Sequence, residues 1–131
     1  MKVSNKIMVV TGAGSGMGRQ LTLLLVKRGA QVAMADVNLK GMRETATIAG
    51  EANVSVHEVN VADRSAIERL PQQVIEQHGA VDGLINNAGI IQPFITVNEL
   101  GYETLERIMN INFYGTLYMT KAFLPHLLLR P

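Results

Sequence analysis

Apolar positions fall along this chain in two alternating textures. Short, nearly unbroken runs occur at Ile7–Val10, Gln31–Ala35, Val54–Val59 and Val81–Ile85. Between them lie longer segments in which apolar residues recur every three or four positions. A short continuous run reads as a strand buried on both faces, and the wider spacing reads as an amphipathic helix. Met17, Leu21, Leu24 and Leu25 share one face of a helix predicted from Gly16 to Arg28, with Gly29 as its stop. A second helix is predicted over Asn38–Ala49, closed by Gly50. A third is predicted over Arg64–His78, with Asp63 as N-cap and Gly79 as stop, and Ser65 and Glu68 also stand at capping-box spacing. After the fourth run a loop from Ile90 to about Gly101 passes Pro93. It leads into a last helical stretch from about Tyr102 to Leu129, apolar on most sides and expected to pack on a sheet.

Strands that are apolar throughout, separated by helices, predict an α/β fold with a doubly wound parallel sheet of Rossmann type. Right-handed crossovers give the strand order 3-2-1-4, with the fourth strand at an open edge. An open parallel edge invites association. No linker, repeat or low-complexity tract interrupts the pattern, so the 131 residues read as one domain or part of one.

Composition narrows the function classes. The chain is 47% hydrophobic and 18% charged with a net charge of +1, which excludes a disordered chain and argues against nucleic-acid or membrane-surface partners. It has no cysteine, so no disulfide, thiolate zinc site or cysteine nucleophile is available. His57, His78 and His126 lie far apart in sequence without ligand spacing, and no metal site is expected. The apolar run behind Lys2 and Lys6 is too short for a signal sequence, and no stretch approaches the ~18 residues of a membrane span. The expectation is a cytoplasmic protein.

Chemistry concentrates after the first two strands. Thr11-Gly12-Ala13-Gly14-Ser15-Gly16-Met17-Gly18 does not fit the G-x-G-x-x-G fingerprint in any register, but Gly12, Gly16 and Gly18 give G-x-x-x-G-x-G. The physical demand is the same. A strand must turn sharply into a helix, bare backbone N–H groups must face a phosphate, and the helix start adds a positive dipole end. Ser15 offers a hydroxyl donor. Asp36 stands eighteen positions past Gly18, followed by Val37. A carboxylate about 20 residues beyond such a loop accepts from the adenosine ribose hydroxyls and repels a 2′-phosphate. Only Lys40 and Arg19 are near enough in sequence to offset that repulsion, so the reading is NAD rather than NADP.

With these residues the chain resembles the short-chain dehydrogenase/reductase family. Thr11-Gly12-x-x-x-Gly16-x-Gly18 is similar to the family's TGxxxGxG loop. Asn86-Asn87-Ala88-Gly89 resembles its NNAG motif after strand four, and Asn112 in Met109-Asn110-Ile111-Asn112-Phe113-Tyr114-Gly115 resembles its helix asparagine. The resemblance implies an oxidoreductase moving a hydride between NAD(H) and an alcohol or carbonyl substrate. It implies that Gly12, Ser15, Gly16, Met17, Gly18, Asp36 and Val37 hold the cofactor. Asn60-Val61 would line the adenine pocket, although the family's usual first residue there is an acid. Asn87, Ala88 and Gly89 would flank the nicotinamide ribose. Asn112 would hold a water in a proton relay, with Asn110 as the rival candidate. The last helix would form a homo-oligomer contact. The family's catalytic Tyr-x-x-x-Lys does not occur: none of Tyr102, Tyr114 and Tyr118 has a lysine four positions on. The chain therefore reads as the NAD-binding front part of a larger domain with little or no activity alone. The alternative is a non-catalytic nucleotide-binding or interaction module.

Overall fold

The four apolar runs pair as parallel strands. The computed structural model describes residues 2–131. Strands β1 (Ile7–Thr11), β2 (Gln31–Asp36), β3 (Val54–Glu58) and β4 (Gly83–Ile85) form one sheet in the order β3-β2-β1-β4. In register, Val9 stands beside Ala33 and Leu84, and Ala33 stands beside Ser55. The helices are α1 (Gly16–Lys27), α2 (Leu39–Ala49), α3 (Arg64–His78), α4 (Tyr102–Met109) and α5 (Thr116–Leu127). The result is a Rossmann-like doubly wound sheet.

Strand pleating sends alternate residues to opposite faces. Met8, Val10, Val32 and Met34 pack with Leu25 of α1 and with Met42 and Ala46 of α2. Val9, Ala33 and Ala35 pack on the other face with Ile67, Leu70 and Val74 of α3 and with Met119 and Phe123 of α5. Helix signals work as their chemistry requires. Asn38 accepts from the Gly41 N–H at 2.8 Å, and Asp63 accepts from the Ala66 N–H at 3.2 Å. Gly79 closes α3 at φ +86°, in the left-handed region. Ser65 and Glu68 form no capping box. Ser65 already lies inside α3, and Glu68 pairs with Arg64 at 3.6 Å.

Four details depart from the sequence reading. β4 is shorter than Val81–Ile85 because its first two residues serve as anchors. Val81 is buried in the core. The buried Asp82 carboxylate accepts from the Ile7 N–H at 2.9 Å and pairs with Arg130 at 2.8 Å and Lys6 at 3.4 Å. Second, the loop before α4 contains a 3₁₀ turn, Val97–Glu99, started by a capping box in which Thr96 and Glu99 bond reciprocally. Third, the last helical stretch runs without a break from Tyr102 to Leu127 but is not α-helical throughout. A π-helical turn, Asn110–Gly115, separates α4 from α5. Fourth, α5 is not broadly buried. Only Met119 and Phe123 are, while Leu117 and Leu124 remain exposed, because one stripe of the helix faces the sheet and the rest has no cover.

Folding also unites two histidines that are remote in sequence. Ser55 Oγ lies 2.8 Å from His57 Nε2 and 2.7 Å from His78 Nε2, and His78 Nδ1 lies 2.8 Å from Gln31 Oε1. Burial, reinforced by the neighbouring His78, lowers His57 to a pKa of about 4, and burial also holds His78 below its ordinary value. Among the described residues no cluster of three or more His, Cys, Asp or Glu could hold a metal ion, and no helix is long and apolar enough to cross a membrane.

Candidate functional site

Chain order reverses at β1, which sits between β2 and β4. In open parallel sheets ligands bind in the crevice beyond the carboxyl ends of the strands at such a switch point. The turn from β1 to α1 fills one side of that crevice. Gly12 adopts φ +68°, and a Cβ there would stand 2.9 Å from Asn87 Nδ2. Gly16 adopts φ +53°, and the space its Cβ would occupy is empty out to 4 Å. Gly18 is different. It does not border the crevice but lies buried beneath the turn, where a Cβ would run into the Gly12 carbonyl. Its absent side chain lets α1 pack closely on β1. Ser15 occupies the N-cap position of α1, yet its hydroxyl makes no capping bond and is left for another acceptor.

Asp36, the last residue of β2, ties the turn to its surroundings. Its Oδ2 accepts from the Gly14 N–H at 2.8 Å and its Oδ1 from the Asn38 N–H at 3.1 Å. Each carboxylate oxygen keeps further acceptor capacity. Arg19, one of the two cations near enough in sequence to balance a phosphate here, is drawn toward α2 and the turn through two of its three nitrogens. Its Nε donates to Thr45 at 2.9 Å, and one terminal nitrogen donates to the Gly14 and Gly41 carbonyls and to Glu44.

The opposite rim follows β4. Thr11 Oγ1, buried at the end of β1, accepts from the N–H groups of Asn87 at 3.0 Å and Ala88 at 2.9 Å. Asn87 in turn donates its side-chain amide to the Thr11 carbonyl at 3.1 Å. These bonds fix the Asn-Asn-Ala-Gly segment against the glycine turn. Asn112, carried by the π-helical turn, holds the segment that follows. Its Oδ1 accepts from the Ile90 N–H at 2.9 Å, and its Nδ2 donates to the Ile90 carbonyl at 2.7 Å. The amide expected to hold a water is thus engaged at both ends by backbone. A Cβ on Gly115 would stand 2.8 Å from Val61 Cγ2, so glycine allows the turn to lie close on the loop after β3.

Together these elements enclose a cleft of about 430 Å³. Every predicted cofactor residue except Gly18 lines it: Gly12, Ser15, Gly16 and Met17 on the turn, Asp36 and Val37 after β2, Asn60 and Val61 after β3, and Asn87, Ala88 and Gly89 after β4. Asn60 also shapes its own loop, its Oδ1 accepting from the Ala62 N–H at 2.9 Å. Sequence reasoning missed Ala35, Val59, Ile90, Ile111 and Arg107. Ala35 and Val59 are strand ends, and a rule that strand termini line the crevice would have found them. Arg107 sits four residues before Ile111 on the same helical line, a signal hidden by the irregular turn that follows.

The empty space over Gly16, the free α1 N-terminus and the carboxylate at the end of β2 fit a dinucleotide. The comparisons agree with that chemistry. A family model described as short chain dehydrogenase matches residues 6–131. SadH of Mycobacterium tuberculosis is 38% identical over 125 residues, 94% of this chain and 45% of SadH. Sorbitol dehydrogenase of Cereibacter sphaeroides is 34% identical over 122 residues, 93% of this chain and 47% of the relative. The chain thus spans a little under half the length of these relatives. The structure of a 3-ketoacyl-(acyl-carrier-protein) reductase from Brucella melitensis complexed with NADH superposes with a TM-score of 0.91 at 28% identity, covering 95% of this chain and 51% of that one. Glycine turn, terminal carboxylate, Asn-Asn-Ala-Gly rim and matched profile converge on one assignment, and the chain belongs to the short-chain dehydrogenase family.

Proposed function

We propose that this chain binds NAD(H) in the cleft and forms the cofactor-binding half of an oxidoreductase acting on an alcohol or carbonyl substrate. The bound cofactor would supply the hydride chemistry. The protein residues bind and orient it. The bare N–H groups of the glycine turn and the start of α1 face the pyrophosphate, and Ser15 donates its hydroxyl there. Asp36 accepts from the adenosine ribose hydroxyls. The same carboxylate opposes a 2′-phosphate, while Arg19 is directed to Thr45, Glu44 and two carbonyls. The Asp36 carboxylate on the cleft wall is the observation that carries the preference for NAD over NADP. Asn60 and Val61 flank the adenine, and Asn87, Ala88 and Gly89 border the nicotinamide ribose. Asn112 acts as a positioning residue, holding Ile90 and through it the rim.

The 131 residues contain no Tyr-x-x-x-Lys, so on this reading the chain alone turns over little or no substrate. A second reading is a nucleotide-binding module without chemistry of its own. The exposed apolar stripe of α5 supports self-association as a further expectation. Isothermal titration of the purified chain tests the leading reading. NAD should bind at least about tenfold more tightly than NADP, and Asp36→Ala should narrow that gap. Absence of saturable binding at about 1 mM NAD would reject the reading. Binding without turnover once the remaining half of a family domain is supplied in trans would favour the module.

A further inference from the structure

We propose that Arg107 closes the adenosine end of the cleft, its guanidinium laid against the purine of the bound dinucleotide. The proposal rests on the NAD-binding reading above. Among the described residues Arg107 is the one cation that lines the cleft, where Asp36 is the one acid. Its side chain forms no ion pair within 4.0 Å and no hydrogen bond among the described residues.

The side chain is exposed and uncommitted, free to reach a ligand in the cleft. Glu103 lies four residues earlier on α4, with the acid N-terminal to the base, the arrangement that favours a helical ion pair. Arg107 instead borders the cleft. Its position follows from the helix. Ile111, four residues on, lies on the same helical line and also lines the cleft, as does Val61. Ile111 packs with the cluster that includes Val61, on the α3–α5 side of the sheet. The glycine turn belongs to the α1–α2 side. Arg107 therefore rises one helical turn beyond Ile111, on the wall facing the turn.

The surroundings suit a flat aromatic base. Val37 is 62% exposed at the end of β2, and Val61 and Ile111 supply apolar surface across from it. A guanidinium is planar, weakly hydrated and permanently charged, so it can stack on a purine. Lysine has the charge without the plane. The glycine turn itself offers no cation, and Arg19 is held by α2 and the turn. Arg107 thus adds a contact to the base that Asn60, with its Oδ1 bonded to Ala62, does not duplicate.

Titration calorimetry of the full chain with NAD and with AMP tests this. Arg107→Ala should weaken both ligands by about 5- to 30-fold, and Arg107→Lys should recover only part of that loss. The thermal midpoint of Arg107→Ala should match the wild type, since no bond within the protein is removed. Equal affinity of wild type and Arg107→Ala for both ligands, within about twofold, would overturn the proposal. A loss that disappears at about 0.5 M KCl would also overturn it, by reducing Arg107 to long-range attraction of phosphate. If the wild type binds neither NAD nor AMP, the NAD reading falls and takes this one with it. If the wild type binds and the variant binds equally, only the role of Arg107 falls.

Discussion

Thr11 shows how much of this site hangs on single atoms. Its hydroxyl oxygen is buried and accepts two backbone N–H bonds from Asn87 and Ala88. Valine has nearly the same shape but no acceptor, so Thr11→Val would leave the Ala88 N–H without its partner, while the Asn87 N–H keeps the Ile85 carbonyl at 3.1 Å. A buried unsatisfied donor costs about 1–3 kcal/mol, which is the expected loss in unfolding free energy. Thr11→Ser should retain most of the stability. Urea denaturation of the three proteins decides the matter, and a valine variant within about 0.5 kcal/mol of wild type would show that the Ala88 N–H finds another partner. Gly18 carries a different kind of constraint. It was expected to touch the cofactor because the loop motif contains it. In three dimensions the last glycine of the motif serves helix–strand contact, which a one-dimensional pattern does not separate from ligand approach.

The pairing of β3 with α3 is where an element acquires a pH response. His57 on β3 and His78 at the end of α3 share the Ser55 hydroxyl. Burial holds His57 neutral, with a folded pKa of about 4 against an ordinary 6.5. Between those values the unfolded chain carries more protons than the folded one, so stability is flat above about pH 7 and falls as pH drops toward about 4. His57 alone contributes a loss of at most about 3 kcal/mol, and His78 adds to it in the same direction. His57→Gln should flatten the profile across that window. Parallel pH profiles of thermal midpoint for wild type and variant would refute the assignment. None of this was readable from the sequence, where the two histidines are separated by α3 and its connection. Strand identity and the ends of α3 were readable, because Val9–Val10, Asp63 and Gly79 act through neighbours a few residues away, whereas Asn38, expected as the first residue of its helix, is its cap. The π-helical turn was not. It depends on Gly115 meeting Val61 and on Asn112 meeting Ile90, contacts set by tertiary packing.

At the scale of the whole molecule, strand order followed from the chirality of crossovers, and the composition of the cleft followed from strand ends meeting at one switch point. Burial of the last helix did not follow, because periodicity reports that a face is apolar without saying what covers it. Phe113, Leu117, Leu124 and Leu128 recur at helical spacing and stay between 45% and 74% exposed, next to a β4 whose three residues are only half-buried. A second apolar surface runs along α1 past Leu21 and Leu24. Apolar stripes of this kind on a folded chain mark association surfaces, and a two-fold pair can bury one stripe against its copy. Sedimentation velocity at about 50 μM should therefore find a dimer or larger species, the concentration being set for a micromolar association. Leu117 and Leu124 are seven residues apart on one helical face and lie outside the cleft, so the double variant Leu117→Glu, Leu124→Glu places two like charges in the stripe without touching the NAD site. It should sediment as a monomer, keep the wild-type circular dichroism spectrum and bind NAD as the wild type does. A wild-type chain that stays monomeric at about 100 μM would remove the basis for self-association. An oligomer that survives the double variant would instead move the contact from α5 to the β4 edge or the α1 surface.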